Sequence, residues 1–147
     1  MPSFFATVEL RRPALELFDY LARPANLGVL TPPELHLQLV DGPDRLKLGA
    51  MLHWRARRMG VSQSMVNEIT VFEEGARIGE EQRTGPFARW IVTHRFEATA
   101  SGSNLTSEVI YEPPGGMLGL LVTVEVIHKD LEELFGYRAQ RLAELFD

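Results

Sequence analysis

Residues 80–96 hold the groups most able to do chemistry, and the foremost of them is His94. Counting by twos along this stretch puts Trp90, Val92, His94 and Phe96 on one side of a strand, with Arg89, Ile91, Thr93 and Arg95 on the other. A histidine taken out of water without a carboxylate partner is neutral at pH 7 and offers one donor and one acceptor. It can then recognise a ligand carbonyl or hydroxyl, or serve as a general base if a further group orients it. A plain core histidine, satisfied by its neighbours, fits the same pattern. Tyr111 shares an inward face with Leu105 and Val109 and would bring a phenol on an apolar body. On the preceding strand Ile78, Glu80 and Gln82 share one face. A buried Glu80 would have to be paired or protonated, so Gln82 is the expected inward polar group, and Glu80 and Glu81 read as solvated rim.

Those groups must be positioned by strands. Residues 3–11 alternate, with Phe4, Ala6, Val8 and Leu10 on one face, and predict a first strand. Pro13 opens a helix whose stripe is Leu17, Phe18 and Leu21, and Pro24 ends it; residues 26–30 allow a second short helix before Thr31-Pro32-Pro33. Six further strands follow. Leu35, Leu37 and Leu39 mark the first of these, and Leu52, Trp54 and Ala56 the next. The remaining strands cover residues 61–72, 77–84, the stretch after Gly85-Pro86, and the stretch from Ser101-Gly102 to Pro113. Beyond Pro113-Pro114-Gly115-Gly116, one long amphipathic helix is expected, with Leu120, Val124, Ile127, Leu131, Leu134, Phe135, Leu142 and Leu145 as its apolar stripe. Gly136 inside it predicts a close approach to another backbone. Gly115-Gly116 could hinge residues 117–122 as a lid.

Composition narrows the function. A chain of 147 residues is expected to form a single domain over residues 1–147, large enough for a core and a cavity. A net charge of −5 opposes general nucleic-acid binding, and the one basic run, His53 to Arg58, reads as the solvated side of a strand. With no cysteine there is no thiolate chemistry and no Cys-type metal site. His36, His53, His94 and His128 lack close ligand spacing, and no phosphate loop or dinucleotide fingerprint occurs, so neither metal nor cofactor is expected. No apolar run approaches the roughly 20 residues of a membrane span, and no signal peptide opens the chain, so the expected location is cytoplasmic.

An antiparallel sheet with one apolar face needs a large cover, and only the C-terminal helix is long enough. Several segments are similar to the START/Bet v 1-like (SRPBCC, polyketide cyclase-like) superfamily, in particular its small bacterial ligand-binding members. They are Pro13, Phe18, Pro24, Asn26-Leu27 and Leu30-Thr31-Pro32-Pro33; Glu81-Gln82, Gly85-Pro86, Trp90, His94 and Phe96; and Val109, Tyr111, Phe135 and Tyr137-Arg138. The resemblance runs nearly end to end and implies an α+β helix-grip fold, a curved seven-stranded antiparallel sheet wrapped around a long C-terminal helix over a hydrophobic cavity. Members carry lipids, hormones and polyketides or act as cyclases and hydrolases. Ser107 stands where relatives tend to have an acidic residue, and Met65 where they tend to have Trp.

The function expected from the whole is binding or transport of a hydrophobic or amphipathic small molecule, lipid or polyketide-like. His94, Tyr111 and Gln82 would be its polar anchors, with Trp90, Trp54, Met65, Ile69, Val109 and Leu131 as wall. The alternatives are a cyclase or dehydratase with His94 moving a proton and Tyr111 polarising a carbonyl, and a protein-interaction module using Thr31-Pro32-Pro33 and the Trp54 strand, which would leave an exposed apolar patch.

Overall fold

The computed structural model describes residues 1–58 and 60–147. Seven strands form one antiparallel sheet: β1 (Ser3–Leu10), β2 (Gln38–Asp41), β3 (Met51–Arg58), β4 (Val61–Glu73), β5 (Arg77–Thr84), β6 (Arg89–Thr99) and β7 (Gly102–Glu112). Their order across the sheet is β1-β7-β6-β5-β4-β3-β2, so every pair but β1–β7 is sequential. Alternation decides which face is buried. On β7, Ser103, Leu105, Ser107, Val109 and Tyr111 are buried in strict turn, and register places Leu105, Ser107, Val109 and Tyr111 opposite Phe96, His94, Val92 and Trp90. The β6 face expected to hold His94 is therefore the concave one.

The curvature has a local cause. The pairing of β4 with β5 shifts between Val66 and Asn67 and again between Ile69 and Val71, and such bulges bend a strand and increase its twist. Gly79 lies opposite the second bulge, where an added Cβ would sit 2.9 Å from the Val71 side chain. Only a residue without a side chain fits that bend.

Between β1 and β2 the chain forms α1 (Ala14–Leu21), which buries Leu17 and Phe18, and then a 3-10 turn at Pro24–Gly28 in place of a second α-helix. The strand expected from Leu35 is shorter. Pro33–Leu35 is another 3-10 turn, His36 takes a left-handed φ of 45°, and pairing begins only at Gln38. Proline supplies no backbone N–H to a ladder, and the two prolines prolong the turn.

The C-terminal element is broken, contrary to the single helix expected from periodicity. Leu118–Leu121 is one short turn, α2, and α3 runs from Val124 to Phe146. Thr123, in extended backbone between them, caps α3 by accepting the Val126 N–H at 3.3 Å. Leu120 thus leaves the apolar stripe and is 78% exposed, and Leu145 at the far end is also exposed. Gly136 faces open space instead of a neighbouring backbone. The buried positions of α3 are Ile127, Leu131, Phe135 and Leu142.

The core divides in two. Around α1 and the end of α3, Leu17, Phe18, Leu52, Trp54, Ile69, Phe96 and Leu142 pack together; around the first half of α3, Phe4, Val109, Tyr111, Ile127, Leu131 and Phe135 do so. A single core would have joined them across the sheet. Space and polar groups occupy that position.

Candidate functional site

An inner chamber of about 200 Å³ lies between the concave face of the sheet and α3, walled by Trp54, Met65, Val92, Leu134 and Phe135 among others. An outer chamber of about 500 Å³ opens above it, lined by residues such as Pro86, Leu118, Val122, Ile127 and Leu131. Leu35, Gln63, Phe87, Trp90 and Leu134 border both. Phe87 and Trp90 stack with centroids 4.6 Å apart and planes 28° apart, which makes an aromatic boundary between the chambers. At the outer chamber Arg58 at the end of β3 and Asp130 of α3 form an ion pair of 2.6 Å that ties the strand to the helix.

The floor of the inner chamber is polar. Glu80 accepts hydrogen bonds at one oxygen from the Trp54 indole N–H at 2.9 Å and the Asn67 amide at 2.6 Å. His94 Nδ1 is 2.7 Å from the Ser107 hydroxyl, which can serve either tautomer of the ring. Arg138 rises from α3 between Phe135 and Leu142, with its guanidinium carbon 4.9 Å from the centroid of the Phe135 ring. His94 and Arg138 also border a void of only about 10 Å³ beneath them, so the cavity ends there.

Charge states follow from this burial. Loss of water, aided by the positive Arg138, lowers the His94 pKa to about 3, so the ring is neutral. Burial raises the Glu80 carboxyl above the usual range, against the opposing pull of Asn67, Trp54 and Arg138. Burial also lowers Arg138 to about 10, with Glu80 pulling the other way, and the side chain remains cationic at neutral pH. Three titratable groups thus share one dry floor with their ionisation set apart by environment. Such clustering in a cleft marks a candidate functional site.

Across residues 1–147 the chain matches the family described as polyketide cyclase / dehydrase and lipid transport. The chain belongs to this family. Nothing among the curated proteins matches it. A solved Chromobacterium violaceum protein superposes with a TM-score of 0.77 at 15% identity, covering 99% of this chain and 98% of that one. A Thermus thermophilus protein gives 0.68 at 19% identity with 96% and 97% coverage, and Ara h 8.0201 gives 0.65 at 16% with 98% and 96%. At these identities the likeness shows the fold, which is the Bet v 1-like helix grip expected from the sequence.

Within this polyketide cyclase / lipid transport fold, His94, Trp54 and Met65 border the inner chamber, Leu131 the outer and Trp90 both. Four expected contacts do not. Tyr111 faces inward on β7, but Ile127 and the start of α3 cover it, and its hydroxyl lies 3.5 Å from the Val124 carbonyl oxygen. Ile69 and Val109 are fully buried in the two core clusters. Gln82 turns back on its own hairpin, donating to the Phe87 carbonyl at 2.7 Å and accepting the Phe87 N–H at 3.4 Å. An added Cβ at Gly85 would collide with that amide, which explains a glycine at the turn. Gln82 is thus tied to the Phe87 backbone, and Glu80 is the β5 residue that borders the inner chamber.

Asn67, Glu80 and Arg138 were missed as pocket residues. Asn67 has a legible signal, falling between Met65 and Ile69 on the buried face of β4. Arg138 has a stronger one. It is three residues after Phe135 and four before Leu142, an arginine in an otherwise apolar stripe. Of the residues invoked for an interaction module, Thr31 and Trp54 are buried and Pro33 is exposed.

Proposed function

We propose that the chain binds one hydrophobic or amphipathic small molecule, lipid or polyketide-like, in the two chambers between the sheet and α3. The observation that carries this is the division of the core by an apolar-walled space with a polar floor, in a chain of the polyketide cyclase / lipid transport family. Taken together, the two chambers fall in the size range of small-molecule sites, roughly 300 to 1,000 Å³. Burial of apolar surface at about 25 cal/mol per Å² would supply most of the affinity, and the floor the orientation. His94, Trp90, Trp54, Met65 and Leu131 are the proposed contacts from the expected set, joined by Glu80, Asn67 and Arg138.

The α2 segment is the proposed lid. Leu118 and Val122 border the outer chamber, while Met117, Leu120 and Leu121 are 85%, 78% and 76% exposed, and Gly116 takes a φ of 63° at the hinge.

Binding is better supported than turnover. A histidine with a pKa of about 3 is a weak base at neutral pH, where general-base catalysis favours a group that titrates nearby. Titration with Nile red, a neutral dye that brightens in apolar sites, tests the reading. Saturable one-to-one enhancement, weakened about tenfold by Trp90→Ala, is expected; no enhancement, or the same titration in the variant, counts against a cavity bordered by Trp90.

A further inference from the structure

Arg138 borders the inner chamber from α3. Its Nε is buried with no hydrogen-bond partner, and among the described residues no carboxylate lies close enough to form an ion pair with it. Other cations of this chain show what pairing looks like: Arg45 holds Asp19 and Glu74, and Arg58 holds Asp130. Glu80 acts on the guanidinium through space but forms no ion pair with it, and its bonded oxygen is held by Trp54 and Asn67. Among the described residues the guanidinium is left with the ring face of Phe135, a weaker substitute for an anion. A buried cation without an ion pair is costly, and a fold that keeps one has a use for it when something else is bound.

Resting on the binding reading above, we propose that the ligand is an amphipathic acid whose carboxylate pairs with Arg138 on the floor, while its apolar body extends past Phe87 and Trp90 into the outer chamber. A guanidinium has only donors, set in a planar fork that matches the two oxygens of a carboxylate. The site holds one such cation, which can pair with a single carboxylate head group. The other walls agree with the direction of insertion. The inner chamber is otherwise mostly apolar, with Thr31, Gln63, Asn67, Glu80 and His94 as its other polar groups, and among the described lining residues there is no second cation. Asn67 Oδ1 is a second buried atom without a partner, an acceptor on the same wall, and a hydroxyl near the carboxylate would satisfy it.

The inference is tested on the full-length chain by isothermal titration calorimetry at pH 7.5 with dodecanoate, 1-dodecanol and dodecylamine, all below their aggregation limits. Dodecanoate should bind at least tenfold more tightly than the alcohol, with the amine weakest, as expected for a charge-assisted contact. In Arg138→Gln the advantage of the acid should vanish while the alcohol still binds, and Arg138→Lys should restore part of it. The ratio of acid to alcohol is read on the unaltered protein, so the test survives a variant that fails to fold. Equal binding of acid and alcohol would overturn the assignment to Arg138 and leave the cavity reading intact. Binding of none of the three would overturn both.

Discussion

Replacing His94 with glutamine should flatten the dependence of stability on pH between 7 and 5. The folded-state pKa of about 3 lies below the ordinary value of 6.5, so as pH falls the unfolded chain takes up this proton first. The contribution of the neutral ring is fully present above pH 6.5 and is lost as pH falls from there toward 3. For one such group, linkage gives a loss of about 2 kcal/mol between pH 7 and pH 5. Glu80 works in the opposite direction, because its raised pKa lets the folded state bind a proton first and gain stability as pH falls. That contribution is common to wild type and variant, so their difference isolates the histidine. Glutamine preserves a hydrogen-bonding group beside Ser107 and has no titration of its own. Urea unfolding followed by fluorescence of Trp54 and Trp90 at pH 7, 6 and 5 measures it. Parallel stability curves for the two proteins would refute the argument, since they would mean that His94 titrates alike in both states.

Two further perturbations probe the surroundings of the cavity. Gln82→Ala removes both hydrogen bonds to the Phe87 backbone; it should cost about 1 to 2 kcal/mol in urea unfolding and weaken Nile red binding several-fold, because Phe87 is then no longer held against Trp90. In hydrogen exchange, residues 117–122 should exchange faster than β6 and β7 and slow down when an amphipathic ligand is added; exchange as slow as the strands, unchanged by ligand, would remove the lid.

The concave face was legible because strand periodicity is strict there. On β7 every second residue is buried, and the same count placed Trp90, Val92, His94 and Phe96 together before any register was known. Register, in contrast, depends on the two bulges of β4, whose positions no alternation pattern in a single strand specifies. Tyr111 shows the limit of such counting: periodicity reports which face a side chain takes, and only packing against α3 decides whether it meets cavity or core. The direction of the Gln82 amide is not legible for a related reason, since the hairpin it closes offers it two backbone partners. The Glu80 environment assembles a tryptophan and an asparagine from two other strands, so a carboxylate that looked like solvated rim is held inside by donors far away in sequence. The break before α3 was hidden because Leu120 continues the helical period by chance, while the Thr123 cap that starts α3 is a single-residue signal inside an apolar run.

Whether a small molecule sits between the sheet and α3 is read by native mass spectrometry of gently purified protein. The expected result is a mass above that of the bare chain, lost under denaturing conditions, or a one-to-one adduct once an amphipathic compound is supplied. A bare mass throughout, with no adduct from any amphiphile tried, would contradict it.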